Sequence, residues 1–256
     1  MPSWDSDLYL RFTKERTQPV IDLAARVELD APARIVDLGC GPGNSTVVLG
    51  RHWPTAKLIG IDDSATMLAS AQTVFPQWTW VADNISTWRA NERFDVVFSN
   101  AALQWVPNHE HLFPRLLEQV APGGALAVQM PANVDAPPHR LMLELSGTSA
   151  WQDYFPTTPR VWHVHPPEFY YDTLTARATR LAIWTIEYLH RLDSVDSIVD
   201  WYRGTGLRPW LDALPDEDSR RRFLADYREL LVPHFPSRGD GKVLLPFRRV
   251  FIVAYR

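Results

Sequence analysis

Over the first 130 residues, short apolar runs alternate with helix-length amphipathic segments, a rhythm that predicts parallel strands joined by helical crossovers. Five runs read as strands: ARIVDL (33–38), KLIGID (57–62), WTWVAD (78–83), FDVVFSN (94–100) and ALAVQM (125–130). They are rich in β-branched and aromatic residues and lie between turn formers. Helices fill the gaps. One starts near Asn44, whose side chain is a candidate cap for STVVLGRH, and a second is capped by Asp63 or Ser64 ahead of ATMLASAQ. A third covers HEHLFPRLLEQV and stops at an APGG turn before the fifth strand. Strands apolar on both faces between helices belong to the doubly wound α/β class.

The rhythm changes after Met130. PANVDAPPHR reads as a loop leaving the carboxyl end of the fifth strand, where ligand walls stand in such sheets. RLAIWTIEYLHRL (180–192) and KVLLPFRRVFIVAYR (242–256) read as two long strands. The stretch from about 194 to 235 is too polar, and too interrupted by Pro209, Pro215 and Pro233, to continue the sheet. It reads as a helical cap inserted into a Rossmann-like sheet.

Composition narrows the chemistry. A net charge of −4 over 256 residues offers no broad basic surface, which argues against a nucleic-acid partner. Residues 1–135 hold 10 basic against 15 acidic side chains, and residues 136–256 hold 16 against 15, so an anion site draws on the second part. Only Lys14, Lys57 and Lys242 among the 26 basic residues are lysines; the rest are arginines, the better planar partners for carboxylates, or the mark of a coding bias. Cys40 is the only cysteine, which excludes an internal disulfide and fits a reducing cytoplasm. With no apolar run near the ~18 residues of a membrane span, the chain reads as soluble and unprocessed.

The stretch VDLGCGPGNSTVVL (36–49) carries the sharpest signal. Gly39, Gly41 and Gly43 let the backbone of a strand-to-helix turn approach a ligand, because no Cβ intervenes. A dinucleotide fingerprint asks for glycine at 44, where Asn44 stands. Asp37 would repel a pyrophosphate and favour a ligand carrying an ammonium and a sulfonium, as S-adenosylmethionine does. Asp62, ending the second strand, sits where a ribose acceptor belongs. Asp83, ending the third, can accept from an adenine amino group, with Met67 and Trp88 as flanking candidates.

VDLGCGPGN, GIDDSATML, ADNISTW and SNAALQWVP together resemble the successive motifs of class I S-adenosylmethionine-dependent methyltransferases. WDSDLYLRFTKERTQPV, AVQMPAN, WYRGTGLRPWL and PFRRVFIVA extend the likeness over nearly the whole chain, and are similar to the branch of that family that methylates trans-aconitate. The resemblance implies a seven-stranded sheet with an antiparallel last strand at 243–256. It divides one domain into an N-terminal lid (1–30), a cofactor core (31–135), a substrate cap with the sixth strand (136–242) and the last strand. It implies a cofactor pocket of Asp37, Gly39, Cys40, Gly41, Asn44, Asp62, Met67, Asp83, Asn84, Ile85 and Asn100, with Tyr9 and Phe12 folding over it. Relatives tend to have Ser and Pro where this chain has Asp63 and Ala65, so Asp63 can share the ribose with Asp62.

The implied reaction esterifies one carboxylate of a small tricarboxylate and releases S-adenosylhomocysteine. A carboxylate with a pKa near ~4 is already ionised, so no general base is needed and no catalytic dyad is expected; alignment and exclusion of water carry the rate. Acceptor candidates are Trp105 after the fourth strand, Asn133 after the fifth, and Tyr188 with His190, which share one strand face. Arg248 and Arg249 face opposite ways, and Arg248 is preferred. Each has a plainer reading: Trp105 as lid packing, Asn133 as a turn residue, the strand residues as polar groups satisfied by neighbours. Tyr170 and Tyr171 read as core. His163 and His165 have a metal-ligand spacing but no third ligand nearby, so no metal is expected. The chain is expected to be a monomer or weak dimer, and a methyltransferase for another small acceptor, an NAD oxidoreductase and a non-catalytic cofactor module remain as alternatives.

Overall fold

The computed structural model describes residues 13–157, 159 and 162–256. Seven strands form one sheet: β1 Arg34–Leu38, β2 Lys57–Asp62, β3 Thr79–Ala82, β4 Phe94–Asn100, β5 Val120–Pro131, β6 Arg180–Leu192 and β7 Val243–Tyr255. Their order is β3-β2-β1-β4-β5-β7-β6. Pairings among β1 to β5 are parallel, and β7 runs antiparallel to β5, with Ala125 opposite Tyr255 and Pro131 opposite Arg249. The sequence order reverses direction at β1, and it is there that the carboxyl ends of parallel strands leave a crevice for a ligand.

Two compact units divide the chain. The sheet unit comprises Lys14–Ala132, Trp162–Ile186 and Arg249–Arg256; the helical unit comprises the described residues from 133 to 159 and Glu187–Arg248. In the sheet unit the helices are α1 Thr13–Ala24, α2 Asn44–His52, α3 Ala65–Val74, α4 His109–Glu118 and α6 Pro167–Leu174. Its core collects Val36, Leu38, Val97, Leu126, Val128 and Ile252 from the strands, and Leu112, Phe113, Leu116 and Leu117 from one face of α4. The i, i+1, i+4, i+5 spacing of those four residues is what an amphipathic helix buries against a sheet.

The helical unit contains α5 Pro137–Ser146, α7 Val195–Arg203, α8 Arg208–Ala213 and α9 Glu217–Leu231. There α9 packs on α5 and α7. Phe223 meets Trp151 edge-on at 5.1 Å, and Tyr227 donates from its hydroxyl to the Pro138 carbonyl at 3.1 Å.

Two sequence expectations are corrected. The APGG segment is not a turn ahead of the fifth strand: β5 begins at Val120 and carries it through a register irregularity between Phe94 and Val96. Gly123 has φ +81°, and a Cβ at Gly124 would stand 2.5 Å from the Asp95 carbonyl oxygen, so glycine permits the strand to continue. The proline-rich stretch after Pro131 is not all loop. Pro137 and Pro138 open α5, where a missing N–H costs nothing and the fixed φ suits the first turn.

Candidate active site

The glycine turn is held by hydrogen bonds to acceptors of β2. Gly39 and Cys40 donate their N–H groups to the Ile61 carbonyl at 2.7 and 3.1 Å, which ties the turn to β2. Gly39 has φ +72°, and a Cβ there would lie 2.2 Å from Ala102 Cβ, so only glycine fits. Gly41, also at positive φ, has nothing within 4 Å of its Cβ position among the described residues, so the backbone is open to them there.

Asp37 is 1% exposed, and its Oδ2 accepts from the hydroxyls of Ser45 at 2.5 Å and Thr46 at 2.7 Å. Burial raises its pKa to about 6, against the lowering effect of the two hydroxyls. Its Oδ1 has no hydrogen-bond partner among the described residues. Asp37 therefore anchors the start of α2 through one oxygen. Asn44 does not cap that helix; it is the first helical residue, and Gly43 at φ +93° is the cap position without a side-chain bond. The tether runs through Ser45 and Thr46 instead.

At the end of β2, Asp62 accepts from Gly41 N–H through Oδ2 and from Ser64 N–H through Oδ1, each at 2.9 Å. Both oxygens are thereby held in one orientation, and each retains a further acceptor lone pair. Burial raises the pKa of Asp62, opposed by these N–H groups. Burial, followed by the Asp37 and Asp62 charges, also pushes the Cys40 thiol upward, so it is an inert packing group. Ser64, not Asp63, caps α3 by accepting from Met67 N–H at 3.4 Å; Asp63 is exposed and Met67 is buried.

Asp83 N–H donates to the Asp62 carbonyl at 3.2 Å, joining the ends of β2 and β3, and the Asp83 carboxylate is exposed. Asn84 shapes the next turn by accepting from Ser86 N–H at 2.8 Å. Arg115, from α4, donates to the carbonyls of Ile85 at 2.8 Å and Ser86 at 2.9 Å, and also to that of Trp88. No local pattern marks Arg115, which lies about 30 positions away, and the sequence reading missed it. Trp88 does not flank a ligand ring: it is buried in the core beside Phe94 at 6.1 Å. Tyr9 and Phe12 lie outside the described residues.

Past β4, Asn100 is half-buried with Oδ1 lacking a partner among the described residues, and Ala101 takes φ +53°. The 3-10 turn Leu103–Trp105 follows, with Trp105 43% exposed and edge-on to Trp162 at 6.2 Å. His109 holds this turn. Its Nε2–H donates to the Leu103 carbonyl at 2.9 Å, and its Nδ1 accepts from the Tyr170 hydroxyl at 2.9 Å. The Leu103 carbonyl can only accept, which puts the proton of the neutral ring on Nε2, and the Tyr170 oxygen in turn accepts from His165 N–H at 3.1 Å. Burial lowers the His109 pKa to about 4. Tyr170 is core as expected, whereas Tyr171 is exposed. His163 donates its backbone N–H to the Gln104 carbonyl, and the His165 ring stacks on Phe169 at 4.0 Å.

In the helical unit, Tyr188 and His190 stack in parallel at 5.9 Å, so they share a face; His190 also stacks on Trp201 at 4.8 Å and meets Phe247 at 5.8 Å. Asn133 is buried and donates to the Tyr202 hydroxyl at 3.1 Å. A Cβ on Gly206 would come within 3.1 Å of Tyr202 and 3.2 Å of His139, and burial lowers the His139 pKa to about 3. Tyr202, Trp201 and Gly206 lie in WYRGTGL, a segment singled out in the sequence without roles for its residues. Arg248, preferred from the sequence, is exposed, whereas Arg249 is 3% exposed with Nη1 donating to Gln129 Oε1 at 3.4 Å. The β7 alternation buries odd positions from Val243 to Arg249.

A family model for a methyltransferase domain matches residues 35–124. Relatives named trans-aconitate 2-methyltransferase match from end to end. The protein of Azoarcus sp. (strain BH72) is 44% identical over 256 residues, covering 100% of both chains. That of Rhodopseudomonas palustris (strain BisA53) is 47% identical over 255 residues, covering 99% of each. That of Yersinia pestis (strain Pestoides F) is 46% identical, covering 100% of this chain and 99% of the relative. Solved structures share the fold at low identity. The YcgJ protein from Bacillus subtilis gives a TM-score of 0.58 at 14% identity, over 93% of this chain and 99% of that one. Phosphoethanolamine N-methyltransferase 2 of Haemonchus contortus, in complex with S-adenosyl-L-methionine, gives 0.56 at 14%, over 93% and 52%.

Proposed function

This chain belongs to the trans-aconitate 2-methyltransferase family, and we propose that it methylates a carboxylate of trans-aconitate using S-adenosylmethionine. The observation that carries the reading is the end-to-end match to relatives of that name, well beyond the methyltransferase domain at 35–124. When bound, S-adenosylmethionine supplies a methyl that its sulfonium makes electrophilic, and S-adenosylhomocysteine remains once a carboxylate oxygen has taken that methyl.

The residues of the sheet unit fit such a cofactor. Open backbone at Gly41 admits a close ligand, and the free oxygen of Asp37 suits an ammonium. Asp62 is held with lone pairs spare for two ribose hydroxyls, and the exposed Asp83 and Asn84 suit an adenine edge beside Ile85 and Met67. These positions fall within 31–135, assigned here as the cofactor core. Trp105 offers its exposed ring as an acceptor wall. For Asn133, Tyr188 and His190 in the helical unit, acceptor roles are tested singly, each as an alanine variant that raises KM. No side chain is assigned as a general base, since an ionised carboxylate needs none. The reducing cytoplasm suits a chain whose one thiol is buried and unreactive. Among the described residues no helix is long and apolar enough to cross a membrane.

The test is transfer of labelled methyl to trans-aconitate, giving a base-labile monoester, with cis-aconitate, isocitrate and citrate as competitors. Absence of label on trans-aconitate would refute the substrate. Thermal stabilisation by NAD and not by S-adenosylhomocysteine would refute the enzyme class.

A further inference from the structure

Gln129 and Arg249 are polar, buried and outside the proposed cofactor site. Gln129 is wholly buried in β5, in register with Asn100 of the neighbouring β4, and Arg249 stands opposite Pro131, the last residue of β5. Gln129 Oε1 accepts from Arg249 Nη1 at 3.4 Å. A guanidinium has only donors, so the amide oxygen must face it and the NH2 group must point elsewhere. That NH2 group, Nε2, has no acceptor among the described residues.

A buried amide donor left unmet is costly, and native interiors seldom contain one. Here it lies beside a buried positive charge at the carboxyl ends of β4 and β5, where sheets of this class receive ligands. Both groups donate, so the complementary ligand brings acceptor oxygens, and the guanidinium selects a negative charge. We infer that Gln129 and Arg249 read a carboxylate of the acceptor, one oxygen accepting from Gln129 Nε2 and the other from the guanidinium. The pair sets specificity for a carboxylate and leaves the cofactor alone. This inference rests on the methyltransferase reading.

Gln129→Glu keeps the length and replaces the donor with a carboxylate that pairs with Arg249 and repels the ligand. Calorimetric binding to enzyme saturated with S-adenosylhomocysteine should show trans-aconitate weakened about 30-fold or more, and KM raised, while cofactor affinity stays within about threefold. Gln129→Met, which removes the polar group without adding charge, serves if the first variant does not fold and should weaken binding about tenfold. Arg249→Lys keeps the charge, loses the fork and should also bind more weakly. Unchanged acceptor binding in folded variants overturns the inference, leaving the amide to an ordered water only. A wild type that binds another di- or tricarboxylate but not trans-aconitate refutes the substrate reading alone, and the variants are then scored on that ligand. A wild type with affinity for no carboxylate overturns the inference.

Discussion

The glycine turn of the sheet unit and the aromatic cluster of the helical unit hold their polar groups in different ways. In the turn, the carboxylates bond mostly to near neighbours in the chain, Asp37 to Ser45 and Thr46, Asp62 to Ser64 and Asp83 to Asn84, and the bond from Gly41 to Asp62 spans 21 positions. In the cluster, Asn133 meets Tyr202 across 69 positions, and His190 stacks against Trp201 and Phe247 from other elements. Short bonds and tight contacts give the turn little tolerance for change. Long-range packing spreads the cluster's stability over many contacts, so any one of them can be altered at less cost.

Glycine substitution sets the two against each other most sharply. Gly39→Ala forces a 2.2 Å contact at positive φ and should cost about 4 kcal/mol or prevent folding, whereas Gly206→Ala, with contacts near 3.1 Å, should cost about 1 kcal/mol in urea titrations. Equal losses would remove the distinction. Next in size, Asp62→Ala should weaken S-adenosylhomocysteine by about 2 kcal/mol in calorimetry, since it frees the turn and removes the diol partner. A Tyr188→Ala variant should leave that affinity intact, and a loss there would tie the cluster to the cofactor.

Acid separates the buried histidines of both units from Asp37 of the turn by sign. His109 and His139 titrate near 4 and 3 when folded against an ordinary 6.5, so the unfolded chain binds more protons between these values. Their stabilisation is whole above about 6.5 and is lost as pH falls toward the folded values, about 2 kcal/mol each between pH 7 and 5. Asp37 does the reverse. With a folded pKa near 6 against 3.8, the native state binds more protons, and acid restores about 1 kcal/mol over the same interval. Urea unfolding at pH 7 and 5 should therefore show His139→Phe less acid-sensitive than wild type and Asp37→Asn more so. Identical pH dependence in all three would refute the assignment. The smallest contrast pairs Tyr202→Phe, about 1 kcal/mol from the bond to Asn133, with Ser64→Ala, about 0.5 kcal/mol from a long capping bond.

Much of the strand-end geometry in the sheet unit was legible because its determinants are local. Apolar runs ending at Leu38, Asp62 and Asn100 mark where strands stop, and those ends carry the glycine turn, Asp62 and Asn100. The strand read at 180–192 matches β6 at both ends, while its alternation changes phase at Ile183–Trp184. The errors came where one residue type permits two outcomes. The glycines in APGG allow a turn or a bulged strand, and the prolines at 137 and 138 break a helix or begin one. Trp88 could be read as a ring for stacking until Phe94 and the α4 face packed around it.

By itself, the sequence determined the strand-and-helix rhythm, the glycines that only a close backbone approach explains, and the acids that end successive strands. Periodicity and φ preference act within a few residues, so the chain order preserves them. Only the tertiary structure decided that Asp37 lends one oxygen to Ser45 and Thr46, that Arg115 rivets a turn about 30 positions away, and that β7 buries Arg249 and exposes Arg248. Each of these depends on which elements pack together and on the face a strand turns inward, and the free energy of burying a polar group is set by partners that come from elsewhere in the chain.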